Sequence, residues 1–115
     1  MKTTVSLKEN HLFRRLYQKG KTAADGRLAL YVRPNGRTGN RLGFTVSTKL
    51  GHAVVRNRTR RRLREIYRLH ENELIMGRDI VIVARVRAAS SSYAQLEKSF
   101  LKLTEKLELL KKENV

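Results

Sequence analysis

Seven arginines fall between Arg56 and Arg68, and among them Thr59, Leu63, Ile66, Tyr67 and His70 recur at spacings of four, three, one and three. At about 100° per residue these five share one stripe of a helix, while Asn57, Arg61, Arg64 and Arg68 lie almost opposite and Arg56 and Arg60 toward its flank. The spacing predicts a central helix over 55–71 whose second face is continuously basic. Six of the arginines stand within nine residues, Arg56, Arg58, Arg60, Arg61, Arg62 and Arg64, and only Glu65 opposes them. Neighbouring like charges on a helix cost a few tenths of a kcal/mol per pair, roughly, so an anion should offset the repulsion. Arginine suits phosphate in particular, because its planar fork clamps two oxygens and stacks on bases. A merely solvated basic face, or a nuclear-import patch, is the other reading of such a run.

The whole chain weighs on that choice. Its 26 Lys and Arg against 10 Asp and Glu leave a net charge of +16 in 115 residues, more than a small acidic ligand requires and typical of a partner made of phosphates. That length holds one domain, expected to span 1–115 as a single unit with residues 1–8 as a flexible tail. The absence of cysteine removes disulfides, Cys-ligated zinc, iron–sulfur clusters and a cysteine nucleophile, and makes the reducing cytosol the simplest location. Met1 to Asn10 lacks the apolar core of a signal peptide, and no apolar stretch of about 18 residues is present to cross a bilayer. With 40% hydrophobic and 31% charged residues, only the phasing of the apolar positions decides whether the chain folds.

That phasing predicts five further features. Leu12, Phe13, Leu16 and Tyr17 mark a first helix over 10–19, with Gly20 as a left-handed terminator. Leu28, Leu30 and Val32 alternate with Ala29, Tyr31 and Arg33 as a strand, broken at Pro34-Asn35-Gly36. Leu42, Phe44 and Val46 alternate likewise, and are expected to pair antiparallel with the first strand in a hairpin. Residues 79–86 are apolar on both faces, the mark of an interior strand. Ser92 and Gln95 form a capping box, after which Leu96, Phe100, Leu103, Leu107 and Leu110 trace a helix to the C-terminus. Tyr67, beside Leu63 and Ile66, belongs to the core.

For catalysis the residues offer little. His11, His52 and His70 fall in separate elements with no carboxylate at a suggestive spacing, and no Gly-rich phosphate loop or Asp/Glu metal cluster is visible. Glu65 reads as the partner of neighbouring arginines in an ordinary helix ion pair. No catalytic residue and no metal ligand is expected in this chain.

The run Ser47-Thr48-Lys49-Leu50-Gly51-His52-Ala53-Val54-Val55-Arg56-Asn57-Arg58 resembles the Ser-x-Lys-x-Gly-x-Ala-Val-x-Arg-Asn-Arg hallmark of the bacterial ribonuclease P protein family. The likeness extends to Asn10 through Gly20, Leu28 through Val32 and Arg78 through Arg85. Thr48 stands where a second lysine is common, and His52 where asparagine is common. The resemblance implies an α+β fold of the ribosomal protein S5 domain 2 type. Its mixed central sheet has the order α-β-β-α-β-α, with room for an extra short strand and a left-handed βαβ crossover through the Arg-rich helix. Sequence reasoning alone would choose the right-handed crossover.

The resemblance also implies a role. In that family the RNA subunit is the catalyst, removing the 5′ leader of precursor tRNA with divalent ions, so that Mg2+ is required by the holoenzyme rather than bound by this chain. The implied partners are that RNA and precursor tRNA, in the bacterial cytoplasm, with no membrane or DNA. Arg56, Asn57, Arg58, Arg60, Arg61, Arg62, Arg64 and Arg68 would contact RNA; Phe13, Tyr17, Tyr31 and Lys49 would line a leader-binding cleft. By spacing alone, Phe13 and Tyr17 read more readily as core. A ribosomal RNA-binding protein on the same fold is the structural alternative, and an autonomous basic ribonuclease a third.

Overall fold

A computed structural model describes residues 3–112. Strands β1 (Thr4–Ser6), β2 (Lys21–Ala24), β3 (Leu28–Pro34), β4 (Asn40–Val46) and β5 (Arg78–Ala84) form one sheet in the order β1-β4-β5-β3-β2. Helices α1 (Asn10–Lys19), α2 (Ala53–His70) and α3 (Tyr93–Lys106) pack on it. The fold is therefore α+β with a mixed sheet, and the crossover expected through the Arg-rich helix joins the parallel neighbours β4 and β5.

Strand β5 is central because both its faces are apolar. Ile80, Ile82 and Ala84 enter a core with Leu28, Leu30 and Val32 of β3, Leu42 and Val46 of β4, Leu63, Ile66 and Tyr67 of α2, and Leu96, Phe100 and Leu103 of α3. Val81 enters a second, smaller core with Leu7 and Leu16, against which Leu12, Phe13, Tyr31 and Val83 pack. Helix α1 thus covers one face of the sheet, and α2 with α3 the other. A large apolar side chain buried in this way contributes about 1.5–3 kcal/mol.

Four expectations need correction. The hairpin between residues 28–32 and 41–47 does not form, because β5 lies between β3 and β4, antiparallel to the first and parallel to the second. Alternation shows that a strand has one face toward a given core, not which strand is its neighbour. The five-residue connection 35–39 can step over the two interstrand spacings, about 10 Å, that this placement needs. Gly20 is not left-handed, having φ −74°; a β-carbon there would meet the Leu16 carbonyl oxygen at 2.6 Å, so close packing is what the glycine permits.

The C-terminal helix stops at Lys106 rather than running through Leu110. Glu108 takes φ 56°, the Leu109 carbonyl accepts from the Ile75 amide at 2.8 Å, and Leu110 bridges Leu74. Its leucines face the same core from an irregular segment, which periodicity does not separate from one more helical turn. At the other end the capping box is present: the Gln95 amide donates to the Ser92 hydroxyl, and the Ser92 amide to the Gln95 side chain.

Part of the segment expected as a tail is strand. Residues 4–6 pair in parallel with Asn40–Leu42, and Thr4 is buried, its hydroxyl donating to Glu71 and lying 2.8 Å from the Tyr67 hydroxyl. Asn40 donates to the same phenol at 3.1 Å. Tyr67 is a core residue, as expected, and burial raises its pKa despite these hydrogen bonds. Residues 1 and 2 lie outside the described residues.

Candidate nucleic-acid interface

Helix α2 buries Thr59, Leu63, Ile66 and Tyr67 and presents Asn57, Arg61, Arg64 and Arg68 to solvent, while Arg56, Arg58, Arg60 and Arg62 are half-buried along its flanks. Several of these arginines are held by local partners. Arg68 forms a two-pronged pair with Glu65, at 2.5 and 3.0 Å, which keeps the Glu65 carboxyl below its ordinary pKa. Arg56 donates to the Gly51 carbonyl at 3.2 Å, Arg60 to the Asn57 side chain at 3.2 Å, and Arg62 to the Ser91 carbonyl at 3.4 Å. The Arg64 guanidinium sits 5.7 Å from the centre of the Phe44 ring. Arg58 and Arg61 have no hydrogen bond or ion pair among the described residues. The first turn of α2 contains no carboxylate, so the positive end of the helix dipole adds to the field of the arginines.

On the opposite face of the sheet, α1 and β3 bring three aromatic rings together. Phe13 rests on the backbone of Gly43, and its ring centre is 6.5 Å from that of Tyr17. Tyr17 meets Tyr31 of β3 edge to face at 5.0 Å, and its hydroxyl is 2.5 Å from that of Thr45 on β4. Phe13 and Tyr31 are half-buried, so the core reading holds in part for Phe13, whereas Tyr17 is 41% exposed. Exposed tyrosine braced by a second ring and a hydroxyl offers a π-face to an incoming base.

Lys49 is exposed in the 3-10 turn Thr48–Leu50, after β4 and before α2, and makes no contact with the rings among the described residues. The structure therefore brings Phe13, Tyr17 and Tyr31 together, puts the basic helix across the sheet from them, and leaves Lys49 on the connection between the two surfaces. Sequence reasoning missed Thr45 and Gly43. Both share strand parity with Arg41 on β4, opposite to the core residues Leu42, Phe44 and Val46, and that parity was the available signal.

The histidines are better partnered than expected. His70 is bonded through Nδ1 to Glu73 and through Nε2 to Glu97 of α3 at 2.9 Å. Burial works against its charged form, but the bonds to Glu97 and Glu73 outweigh burial and raise its pKa. Glu73 was three residues away in sequence; only the packing of α3 on α2 supplies Glu97. Among the described residues no group of three or more His, Cys, Asp or Glu is placed to hold a metal ion, and no helix is long and apolar enough to cross a membrane.

Comparison with known proteins gives a consistent result. Residues 1–108 match the family model described as Ribonuclease P. The chain is 40% identical over 112 residues to the ribonuclease P protein component of Natranaerobius thermophilus, covering 97% of each. It is 41% identical over 110 residues to that of Alkaliphilus metalliredigens, covering 96% of this chain and 99% of the relative. The solved RNase P protein of Staphylococcus aureus superposes with a TM-score of 0.85 at 31% identity, over 92% of this chain and 97% of that one.

Proposed function

The chain belongs to the ribonuclease P protein family, and from that premise we propose that it holds the catalytic RNA with α2 and the 5′ leader of precursor tRNA against the rings of α1. As a ribonuclease P protein component it is part of an endoribonuclease holoenzyme with an RNA partner and serves tRNA processing. The ribosomal alternative gives way to this family.

In our reading the RNA performs the chemistry with divalent ions such as Mg2+, and the chain contributes position and charge as one RNA-binding domain in the bacterial cytoplasm. Arg58 and Arg61, without hydrogen bonds or ion pairs among the described residues, and Arg64 beside them neutralise phosphates of the RNA subunit, while the uncharged Asn57 amide can add a hydrogen bond. Tyr17, with Phe13 and Tyr31 behind it, stacks on an unpaired base of the leader, an interaction worth about 1–3 kcal/mol that does not depend on base identity. Lys49 lies where an RNA passing from one surface to the other would cross.

The observation that carries this reading is the pairing of an exposed tyrosine, edge to face on a second ring, with a helix whose arginines outnumber their acceptors. Reconstitution with the cognate RNA subunit and a precursor tRNA at low Mg2+ tests it. Added protein should restore leader cleavage. Cleavage by the purified protein free of RNA would instead favour an autonomous ribonuclease.

A further inference from the structure

We infer that a pocket between α1 and the sheet, formed by Arg15, Arg33 and Arg41, is a separate anion site that takes a phosphate group of single-stranded RNA lying along the α1 face. The RNA ligand rests on the leader-binding reading above; the site rests on the chemistry of the pocket.

Register places Arg33 of β3, Asp79 of β5 and Arg41 of β4 in one row across the sheet. Asp79 is buried, and both its oxygens are taken. Arg41 donates to Oδ1 at 2.7 Å and to Oδ2 at 2.8 Å, and Asn35 donates to Oδ1 at 3.1 Å. Arg33 flanks the same carboxylate yet makes no bond to it, and its Nη1 is buried without a hydrogen-bond partner among the described residues. Arg15 reaches the same pocket from α1, also without a hydrogen bond or ion pair among the described residues. Glu9 acts on Arg41 only through space.

The pocket is consequently lined by three arginines and one carboxylate whose oxygens are already engaged. A buried donor without an acceptor is costly, and most such groups in folded proteins prove to have a partner. The cavity, about 100 Å3 and bounded also by Leu12 and Pro34, is well above the roughly 10–15 Å3 that one water needs and has room for a tetrahedral oxyanion. Arginine forks favour phosphate among such anions. The next row along the same face is Tyr31, Val81 and Gly43, roughly 7 Å away at two residues of strand rise. A base on the rings and a phosphate in the pocket would thus belong to neighbouring nucleotides.

The test uses Arg33→Gln and Arg15→Gln in the full chain, leaving the Arg41–Asp79 pair intact. Inorganic phosphate is titrated into the protein while the arginine Nε–Hε resonances are followed by NMR. Those of Arg33 and Arg15 should shift saturably, and chloride at equal ionic strength should not reproduce the effect; no saturable shift, or the same shift with chloride, overturns the site. In the reconstituted holoenzyme Arg33→Gln should weaken a long-leader precursor by roughly tenfold and spare mature tRNA. An unchanged precursor affinity, with phosphate binding retained by the wild-type protein, overturns the assignment to RNA. Tyr17→Ala separates the two readings: if it weakens the precursor while Arg33→Gln does not, only the pocket's role fails. If Tyr17→Ala has no effect but the phosphate shifts appear, the leader cleft fails and the anion site stands.

Discussion

Phe13 lies so close to Gly43 that a β-carbon on the glycine would sit 2.5 Å from the ring's Cζ. The ring's position over β4 therefore depends on a missing methyl group, and the floor of the aromatic cluster is backbone. Gly43→Ala should push Phe13 outward and destabilise the fold by about 1–3 kcal/mol, the usual range for overpacking. Adding Phe13→Leu should recover part of the loss, a coupling that denaturant titration of the two single variants and the double variant will measure. Simple additivity would mean that the ring does not bear on Gly43.

Replacing Arg61, Arg64 and Arg68 by Ala should weaken binding of the RNA subunit and reduce the salt dependence of that binding, by about 0.7 to 0.9 in slope for each phosphate left without its arginine. All three are exposed, so thermal unfolding should hardly change. An unaltered slope would remove α2 from the interface.

Tyr17→Ala should lower affinity for precursor tRNA by roughly ten- to hundredfold while sparing mature tRNA. Tyr17→Phe keeps the ring and removes only the Thr45 hydrogen bond, so it should retain most of the affinity. Equal losses in both variants would point to the hydroxyl, and an equal loss on a leaderless substrate would exclude the stacking role.

Asp25 is set in the β2–β3 turn. Burial opposes its ionisation, but the Leu28 and Arg27 amides, the Ser99 hydroxyl and Lys102 hold its pKa down to about 2, against 3.8 for the free group. A depressed carboxylate stabilises the fold above its unfolded pKa and loses that contribution as pH falls through the folded one. Stability should therefore drop between about pH 4 and pH 2, by about 2 kcal/mol from this group. Asp25→Asn should be less stable at neutral pH and show a shallower acid transition in melts across that range.

His70 acts in the opposite direction. Its folded pKa is raised above 6.5 by Glu97 and Glu73, so its contribution is complete below about pH 6.5 and fades as pH rises through the folded value. The α2–α3 junction, where Glu73, Glu97 and the Phe100 ring face the imidazole, should loosen on that rise. His70→Gln should abolish the pH dependence of stability in this window, and a profile parallel to wild type would assign it elsewhere.

Much of this protein is decided by short-range pattern. The stripe Thr59, Leu63, Ile66 and Tyr67 specifies both the helix and the face it buries, because a 3.6-residue period leaves no second way to cover those side chains. Ser92 and Gln95 mark the start of α3 through reciprocal bonds between near neighbours. The double-sided apolar run at 80–84 already requires a central strand. Charge and the Ser47 to Arg58 motif point to RNA without any coordinates.

Tertiary structure decided what depends on pairs distant in the chain. Strand alternation is the same whether β3 and β4 touch or are parted by β5, so only the assembled sheet excludes the hairpin and aligns Arg33, Asp79 and Arg41 in one row. Thr4 and Tyr67 share a hydrogen bond across 63 residues, which no local pattern signals in so short a strand. That the aromatic rings and the basic helix occupy opposite faces of the sheet follows from which face α1 covers. Side-chain period assigns a residue to a face of its own element; only packing determines what that face meets.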